Sequence, residues 1–202
     1  MTPRVSILIP SYNLGRFLPA TLDSIRAQTY SDYEVLIADD GSSEPIRDVI
    51  KPYLDDKRFS FVQWQPNRGP HAAIYYLYTQ ARGEFWCPFS SDDLFHPDFL
   101  ARRLEFMSAH PHASLLYGPT EYIDEEGSLV EYEYPYTLPT CMDSKTALRL
   151  LLQHNFVAGP GIMLRANMVK RILGYYVPEW KYVQDWFMWM LVASTGFDFV
   201  FD

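Results

Sequence analysis

The strongest constraint on the fold of this chain is an alternation of short apolar runs and amphipathic segments over its first 118 residues. The run from Val5 to Ile9 is nearly continuous and rich in β-branched residues, which is typical of a strand buried on both faces. Leu18, Leu22 and Ile25 then recur at helical spacing. Repetition of this unit predicts an α/β fold, a Rossmann-like and mainly parallel sheet flanked by helices. Further strands are predicted at 33–38, 59–64, 85–89 and 114–118, and further helices at 46–54, 72–81 and 98–109.

The pattern changes after Gly118. Alternating segments at 122–127 and 129–134 predict a β-hairpin with an acidic turn. The remaining predictions are a loop from Pro135 to Pro139, a helix near 143–152, a strand at 161–165, a helix at 186–194 and a strand at 197–201. We therefore predict one domain over 1–202, in which a nucleotide-binding half at about 1–118 precedes a smaller, mixed-sheet acceptor half at about 119–202. The apolar last strand predicts either a longer protein or a homo-oligomer that covers it.

Two pairs of adjacent aspartates follow two of the predicted strands. Asp39 and Asp40 follow the second strand, and Asp92 and Asp93 follow the fourth. Ligands of open α/β sheets bind at the carboxyl ends of the strands, so four carboxylates should meet at one edge. Packing such like charges together is unfavourable unless a cation or strong hydrogen-bond donors share the site. A nucleotide that carries a divalent metal ion would supply both.

The bulk composition argues against several other classes of protein. The formal net charge of -8 disfavours nucleic acid as the main partner, because binding to a phosphate backbone needs clustered Lys and Arg. Of the two cysteines, Cys87 lies inside an apolar run and is predicted to be a core residue rather than half of a disulfide. No apolar run approaches the ~20 residues of a membrane span, and the N-terminus lacks a signal-peptide pattern. We therefore predict a cytoplasmic protein without a transmembrane segment.

Several motifs in a fixed order resemble family 2 of the inverting glycosyltransferases. They are Val5–Asn13, Ala38–Ser43, Asn67–Gly69, Ala81–Phe85, Ser91–Asp93 with His96–Leu100 behind it, and, after a weaker stretch, Gln184–Trp186. An Asp-Asp pair alone is common by chance, whereas five such motifs in the family's order are specific. The resemblance implies the GT-A fold of nucleotide-diphospho-sugar transferases and a nucleotide-sugar donor.

The segment that follows the first strand is predicted to contact the donor nucleotide. Pro10 cannot donate a ladder hydrogen bond, so we expect it to end the strand. Ser11, Tyr12 and Asn13 would then present their amides and side chains at the sheet edge. Tyr12 offers a surface for the base, and the alternative is a core tyrosine whose hydroxyl finds a partner.

Asp40 and Arg68 are the predicted polar contacts of the base and the diphosphate. By resemblance, Asp40 accepts a hydrogen bond from the ring N–H of uracil, and a carboxylate suits uracil, thymine or guanine but suits cytosine poorly. Asp39 could instead cap the turn at Gly41–Ser43. Arg68 contacts the base or the diphosphate, or is a solvated loop arginine. Ala73-Ile74-Tyr75 replaces an alanine-arginine-asparagine run common in the family, so the polar contacts of that run are missing.

The second aspartate pair occupies the place of the family's metal motif. By resemblance, Asp93 ligates Mn²⁺ or Mg²⁺, and Asp92 contacts the hydroxyls of the ribose or the sugar. The metal would neutralise the charge that develops on the departing nucleoside diphosphate. Many relatives carry another aspartate two residues before the pair, and here that residue is Ser90. The alternative role for Asp93 is to cap the helix that follows His96.

Inverting transfer also needs a base that takes the proton of the acceptor. The resemblance assigns this role to Asp185, and the alternative is a helix cap. Gln184 stands where the family usually has a glutamate, so Asp185 has one negative neighbour fewer. Gln184 and Trp186 are candidates for contacts with the acceptor or the sugar. Trp180 flanks the site as well, and a core role for Trp186 is the competing interpretation.

The favoured prediction is a metal-dependent inverting glycosyltransferase that moves a sugar, with a UDP-sugar as the expected donor, to a hydroxyl acceptor in glycan or polysaccharide biosynthesis. The acceptor could be a glycan or a lipid-linked sugar, which would bring the protein to the inner face of the membrane. One alternative is a non-catalytic nucleotide-sugar binding domain of a larger synthase. A weaker one is a nucleotidyltransferase, since the loop from Pro10 to Arg16 has a single glycine where that chemistry needs several.

Overall fold

A computed structural model describes residues 2–133, 139–175 and 183–202. Eight strands form one sheet in the order β3-β2-β1-β4-β9-β5-β10-β8, and β6 and β7 form a separate hairpin. The strands are β1 Val5–Ser11, β2 Tyr33–Asp39, β3 Phe59–Gln63, β4 Phe85–Pro88, β5 Ala113–Tyr117, β6 Thr120–Ile123, β7 Leu129–Glu133, β8 Cys141–Met142, β9 Met163–Arg165 and β10 Asp198–Phe201. The helices are α1 Leu18–Arg26, α2 Ile46–Ile50, α3 Pro70–Gln80, α4 Phe99–Ala109, α5 Ser144–Leu151, α6 Ala166–Ile172 and α7 Gln184–Ser194, with single 3₁₀ turns at Lys51–Tyr53 and Leu173–Tyr175.

The sheet is mainly parallel, and this confirms the predicted fold class. β1 pairs in parallel with β2 and β4, β2 with β3, and β5 with β10. The two exceptions are β9, which is antiparallel to both β4 and β5, and β8, which is antiparallel to β10. Because β9 is antiparallel to both of its neighbours, β4 and β5, the strands β5 and β10 run in the same direction as β1. Their carboxyl ends therefore lie at the same edge as those of β1 to β4.

The burial of β1 explains why its sequence is almost continuously apolar. Ile7 and Ile9 point into one core, which α1, α2 and α4 cover. Leu8 points into the opposite core, beneath α3, α5, α6 and α7. Each of these three side chains is fully buried. The central strand is thus covered on both faces, as the sequence predicts for a strand of a parallel sheet.

Pro10 does not end β1, which is a correction to the sequence prediction. The strand continues to Ser11, and Pro10 lies opposite Ala38 of β2. The backbone of Leu8 faces β4, since its carbonyl accepts from Phe89. Pro10, two residues further on, faces the same side, and the pairing with β4 has ended by then. The missing N–H therefore costs no ladder hydrogen bond.

The second half contains both confirmed and unforeseen elements. The hairpin β6–β7, the strand β9 and the helix α5 were predicted, whereas the two-residue β8 and the helix α6 were not. α7 begins two residues earlier than predicted, at Gln184. The predicted loop from Pro135 to Pro139 lies largely outside the described residues. No helix in the described part of the chain is both long and apolar enough to span a membrane.

Candidate functional site

Asp39 is the fully buried member of the first aspartate pair. Its carboxylate accepts from the backbone N–H of Ser42 at 3.2 Å, from the Ser42 hydroxyl and from the side-chain amide of Gln63 at 3.0 Å. These bonds hold the turn after β2 against the end of β3. The alternative that assigned Asp39 to the local turn is therefore confirmed.

Asp40 organises a second turn, which follows β3. Its two carboxylate oxygens accept from the backbone N–H groups of Arg68 at 2.7 Å and of Gly69 at 2.8 Å. The side-chain amide of Asn67 donates to the Asp40 carbonyl at 2.9 Å. The carboxylate is only 1% exposed, so its charge is stabilised by oriented N–H groups rather than by water. The predicted contact of Asp40 with a base stays a prediction, and such a contact would have to use a second lone pair of an oxygen that is already bonded.

The turn after β1 is fastened to the turn after β2. Asn13 lies in the left-handed region with φ of 54°. Its backbone N–H donates to the Ser42 hydroxyl at 2.8 Å, and its side-chain carbonyl accepts from the backbone N–H of Ser43 at 2.9 Å. Ser11 is buried, and its hydroxyl has no hydrogen-bond partner among the described residues.

Tyr12 and Arg68 are the accessible side chains of the turns that follow β1 and β3. Tyr12 is 49% exposed, so it is not the core tyrosine of the alternative interpretation. Arg68 lies with its guanidinium 4.5 Å from the ring centroid of Trp64, the residue after β3. Stacking on an aromatic ring holds the guanidinium in one place while its N–H groups remain available. The predicted contacts of Tyr12 and Arg68 with a nucleotide stay predictions.

The second aspartate pair is held quite differently. The Ser90 hydroxyl donates to Asp92 Oδ1 at 2.6 Å. No described residue donates a hydrogen bond to the carboxylate of Asp93, which is partly buried. Burial and, secondarily, the negative charge of Asp92 raise the pKa of Asp93 to about 6 from its ordinary value of 3.8. Asp93 does not cap the following helix, because α4 begins at Phe99 and Asp98 holds its N-cap position.

The loop that carries this pair is tied to the inner face of α1. Thr21 donates to the Ser91 carbonyl at 3.0 Å, and the Ser24 hydroxyl accepts from the backbone N–H of Phe95 at 3.1 Å. Gln28 donates to the His96 carbonyl at 2.7 Å and accepts from the backbone N–H of Leu100 at 3.0 Å. The backbone of the loop is therefore fixed, although the Asp93 carboxylate that it presents accepts no hydrogen bond from the described residues.

The oxygen atoms of this loop fit a hard divalent cation that also binds a nucleotide. In the described residues no group of three or more His, Cys, Asp or Glu side chains could hold a metal ion. Mg²⁺ in nucleotide sites is usually held by one or two carboxylates together with the substrate phosphates. Asp93 provides such a carboxylate, and burial and the charge of Asp92 make its ionised form unfavourable when no cation is nearby. The donor set thus fits a metal that arrives with, or is completed by, a diphosphate.

Asp185 lies at the same edge of the sheet as the two aspartate pairs. α7 packs on the core beneath β5 and β10 and leads through a short turn at 195–197 into β10. Since β10 starts at the amino edge, the first turn of α7 lies towards the carboxyl edge. Asp185 is exposed there and accepts from the side-chain amide of Asn155 at 3.3 Å. Val183 holds the N-cap position, so Asp185 is not the cap of this helix.

The neighbours of Asp185 differ in their accessibility. Gln184 is 1% exposed. Trp186 packs partly buried against the core and donates from its indole N–H to the Leu151 carbonyl at 2.7 Å, which supports the core interpretation of this side chain. The proposed contacts of Gln184 and Trp186 with an acceptor or a sugar stay predictions. Trp180 lies outside the described residues.

The hairpin β6–β7 contacts the loops that follow β1 and β4. Arg16, after β1, pairs with Glu125 at the tip of the hairpin at 3.3 Å. His96, after β4, contacts Glu121 of β6 at 3.1 Å. Both pairs are exposed and contribute little to stability. They nevertheless place the first element of the second half beside the turns that follow β1 and β4.

Sequence reasoning missed two groups of site residues. The polar side chains that hold the loop after β4 are Thr21 and Ser24 of α1 and Gln28 just past its end. They recur at helical spacing, and that signal was available. Asn155 carries no comparable signal, because its partner Asp185 is distant in sequence.

The fold and the site thus define a class of protein. It has an α/β sheet of the glycosyltransferase type with acidic residues at the carboxyl edge. The sequence matches the family described as glycosyl transferase family 2 over residues 6–173. The chain belongs to this family. An uncharacterized glycosyltransferase of Rickettsia typhi is 28% identical over 204 residues, which cover 98% of this chain and 62% of that protein. A chondroitin synthase of Escherichia coli is 31% identical over 137 residues, which cover 67% of this chain and 20% of that protein.

Solved structures share the fold at lower identity. The crystal structure of S. aureus TarS 1–349 superposes with a TM-score of 0.80 at 20% identity, covering 98% of this chain and 58% of that one. The mannosyltransferase PcManGT from Pyrobaculum calidifontis, in complex with GDP-Man and Mn²⁺, superposes with a TM-score of 0.74 at 17% identity and covers 100% of this chain and 55% of that one. The chain thus spans roughly three fifths of the length of these two crystallised chains and of the Rickettsia typhi relative.

Proposed function

We propose that this chain is the catalytic part of a metal-dependent inverting glycosyltransferase that transfers a sugar from a nucleotide-diphosphate sugar to a hydroxyl acceptor. One observation carries the proposal. The loop after β4 is fixed to α1 by several hydrogen bonds, yet its Asp93 carboxylate accepts none from the described residues and has its pKa raised to about 6. A protein that keeps such a group at the carboxyl edge of its sheet is prepared to bind a cation there.

The donor would lie across the turns that follow β1 to β4. The base would rest on Tyr12, next to Pro10, Ser11 and Asn13, with Asp40 as an acceptor for its ring N–H. Arg68 would contact the base or the diphosphate, and Asp92 would accept from hydroxyls of the ribose or the sugar. A UDP-sugar is the favoured donor. In support, S. aureus TarS has been crystallised with UDP and with UDP-GlcNAc, although PcManGT carries GDP-Man.

The reaction is a displacement at the anomeric carbon. A metal held by Asp93, either Mn²⁺ or Mg²⁺, would neutralise charge on the diphosphate that leaves. Asp185 would take the proton of the acceptor hydroxyl as its oxygen bonds to the anomeric carbon and the bond to the phosphate oxygen breaks. The products are the glycosylated acceptor, a nucleoside diphosphate and a proton that Asp185 later releases. Attack from the side opposite the leaving group inverts the anomeric centre.

The acceptor half and the cellular context follow the same proposal. The acceptor would lie between the first turn of α7, the hairpin β6–β7 and the donor, with Gln184 and Trp186 near it. A glycan or a lipid-linked sugar is the proposed acceptor class, which places the activity in glycan or polysaccharide biosynthesis on the cytoplasmic side of a membrane.

Donor hydrolysis tests the proposal without knowledge of the acceptor, because water can replace the acceptor hydroxyl. We expect release of nucleoside diphosphate from UDP-GlcNAc or GDP-mannose with Mn²⁺, and loss of that release with EDTA. Asp185→Asn should lower turnover by roughly 10²–10⁴ and leave donor binding intact. Donor binding without hydrolysis in the native chain, or wild-type turnover in Asp185→Asn, would favour a non-catalytic nucleotide-sugar domain instead. A thermal-shift panel of UDP, GDP, dTDP and CDP with Mn²⁺ would rank the bases.

A further inference from the structure

We infer that Asn155 is a positioning residue for the base Asp185. This inference rests on the proposed function, in which Asp185 takes the proton of the acceptor. The side-chain amide of Asn155, in the loop after α5, donates to Oδ2 of Asp185 at 3.3 Å. The two residues are far apart in sequence, so the contact depends on how α5 and α7 pack.

The amide of Asn155 can face Asp185 in only one orientation. Its carbonyl oxygen accepts from the backbone N–H of Val157 at 3.3 Å. An N–H can donate only to the oxygen of the amide, so the NH₂ group is the part turned to Asp185. The hydrogen bond occupies Oδ2 and leaves Oδ1 as the oxygen that can accept the proton of the acceptor.

The loop that carries Asn155 is anchored immediately after this residue. Phe156 and Val157 are 2% and 3% exposed. The Phe156 ring lies 5.7 Å from the ring of Tyr117, the last residue of β5, and 6.4 Å from that of Phe199 in β10. The amide is exposed, but the backbone on which it is mounted is part of the core. Its position is therefore set by packing rather than by solvent.

A second hydrogen bond fixes the helix that carries the base. The indole N–H of Trp186 donates to the Leu151 carbonyl, at the end of α5. Adjacent residues of α7 thus bond to α5 and to the loop that follows it. The bond from Trp186 sets where the first turn of α7 lies, and the bond from Asn155 sets how the carboxylate of Asp185 is turned.

Two variants separate positioning from turn formation. Asn155→Asp keeps an oxygen for the Val157 N–H, and aspartate is as suitable as asparagine in such a turn. It replaces the donor with a like charge beside Asp185. Asn155→Ala removes both contacts. A matched control is Asn167→Asp, which makes the same change on an exposed residue of α6, at the opposite edge of the sheet.

The assay is nucleoside diphosphate release from the nucleotide sugar with Mn²⁺, using the whole chain. We expect kcat to fall by about tenfold in Asn155→Asp and by roughly 3–10-fold in Asn155→Ala, with donor KM and Tm close to wild type. Asn167→Asp should equal wild type. In the Asp185→Asn background, Asn155→Ala should cause no further loss, because a residue that acts only through another has no effect once that residue is gone.

The possible failures are distinguishable. Wild-type kcat in Asn155→Asp, or a further loss of kcat in the double variant, would overturn the positioning role and leave the proposed function standing. A wild-type chain that releases no nucleoside diphosphate from any donor would overturn the proposed function and this inference with it. A fall in Tm that accounts for the loss of kcat in both variants would reduce Asn155 to a turn residue.

Discussion

The turns after β2 and β4 carry the same dipeptide and lie on either side of β1, but the protein treats their carboxylates in opposite ways. Every carboxylate oxygen of Asp39 and Asp40 accepts a hydrogen bond from the protein. In the described residues, the pair Asp92 and Asp93 accepts one such bond, from Ser90. The first pair is also more deeply buried than the second.

This difference separates a pair of charges that builds the turns from a pair to which the proposed function assigns a ligand. Oriented N–H groups and hydroxyls stabilise a buried carboxylate, which in return fixes the turns that donate them. A carboxylate without such donors is unfavourable in its charged form, and its pKa rises, as that of Asp93 does. The first pair should therefore affect folding more, and the second should affect metal binding more.

The largest expected effect is on metal-dependent binding. Asp93→Asn should weaken the affinity for UDP in the presence of Mn²⁺ by roughly 100-fold, the upper end of what the loss of a supporting residue of a metal site costs. Affinity without metal should change little. Isothermal titration with UDP, with and without Mn²⁺, measures both, and Asp55→Asn, an exposed substitution of the same kind, is the control. An unchanged metal-dependent affinity would remove Asp93 from the site.

The next effect is on stability. Asp40→Asn should lower the free energy of unfolding by about 1–3 kcal/mol, because an amide offers one oxygen to two backbone N–H groups and turns its own NH₂ towards the other. Urea denaturation of this variant beside Asp55→Asn and Asp93→Asn gives the comparison. Equal stability of Asp40→Asn and Asp55→Asn would show that the buried pair is not structural.

A smaller effect is expected when a further negative charge is added beside the second pair. Ser90→Asp adds a carboxylate next to Asp92, whose Oδ1 now accepts from the Ser90 hydroxyl. The affinity for Mn²⁺ in the presence of UDP should rise by roughly 3–10-fold, since the number of charged ligands tunes the affinity for a hard cation. The same titration measures it, with Ser90→Asn as the uncharged control. Equal affinities in the two variants would mean that position 90 does not face the metal.

The smallest effect is the pH dependence of stability without metal. The pKa of Asp93 is raised to about 6 in the folded state, so the protonated form is favoured there, and its contribution to stability is lost as pH rises from 3.8 through about 6. Asp93→Asn should therefore raise Tm slightly at pH 8, and the gain should shrink as pH falls below about 6. Thermal melts in EDTA at several pH values test this. A constant difference across that range would contradict the raised pKa.

The parallel part of the fold could be predicted because its signals are local. A run such as that from Val5 to Ile9 and helical spacing such as that of Leu18, Leu22 and Ile25 need no knowledge of distant residues. The insertion of β9 between β4 and β5 depends on pairing with strands that lie far away in sequence, and no local pattern encodes it. The error over Pro10 has the same origin, since the consequence of its missing N–H depends on where β4 ends.

The sequence predicted where the site lies in the fold, but not what each of its residues does. The position of both aspartate pairs directly after predicted strands placed them correctly at the carboxyl edge. The local sequence cannot distinguish Asp40 from Asp93, because what separates them is the backbone N–H groups of Arg68 and Gly69, which the chain brings back from the end of β3. Asn155 could not be found at all, since its role depends on the packing of α5 against α7.

The hydrogen bonds between α1 and the loop after β4 have a consequence for how the molecule opens. Surface loops normally exchange their amide hydrogens by small local fluctuations, independently of the core. Here the amides of Phe95, in the loop, and of Leu100, in the first turn of α4, donate to Ser24 of α1 and to Gln28, two residues past the end of α1. α1 itself is packed on the sheet. These amides can exchange only when the loop and α1 separate. Hydrogen–deuterium exchange should therefore find the amides of Phe95 and Leu100 protected on the timescale of α1 itself, as one cooperative unit with the sheet.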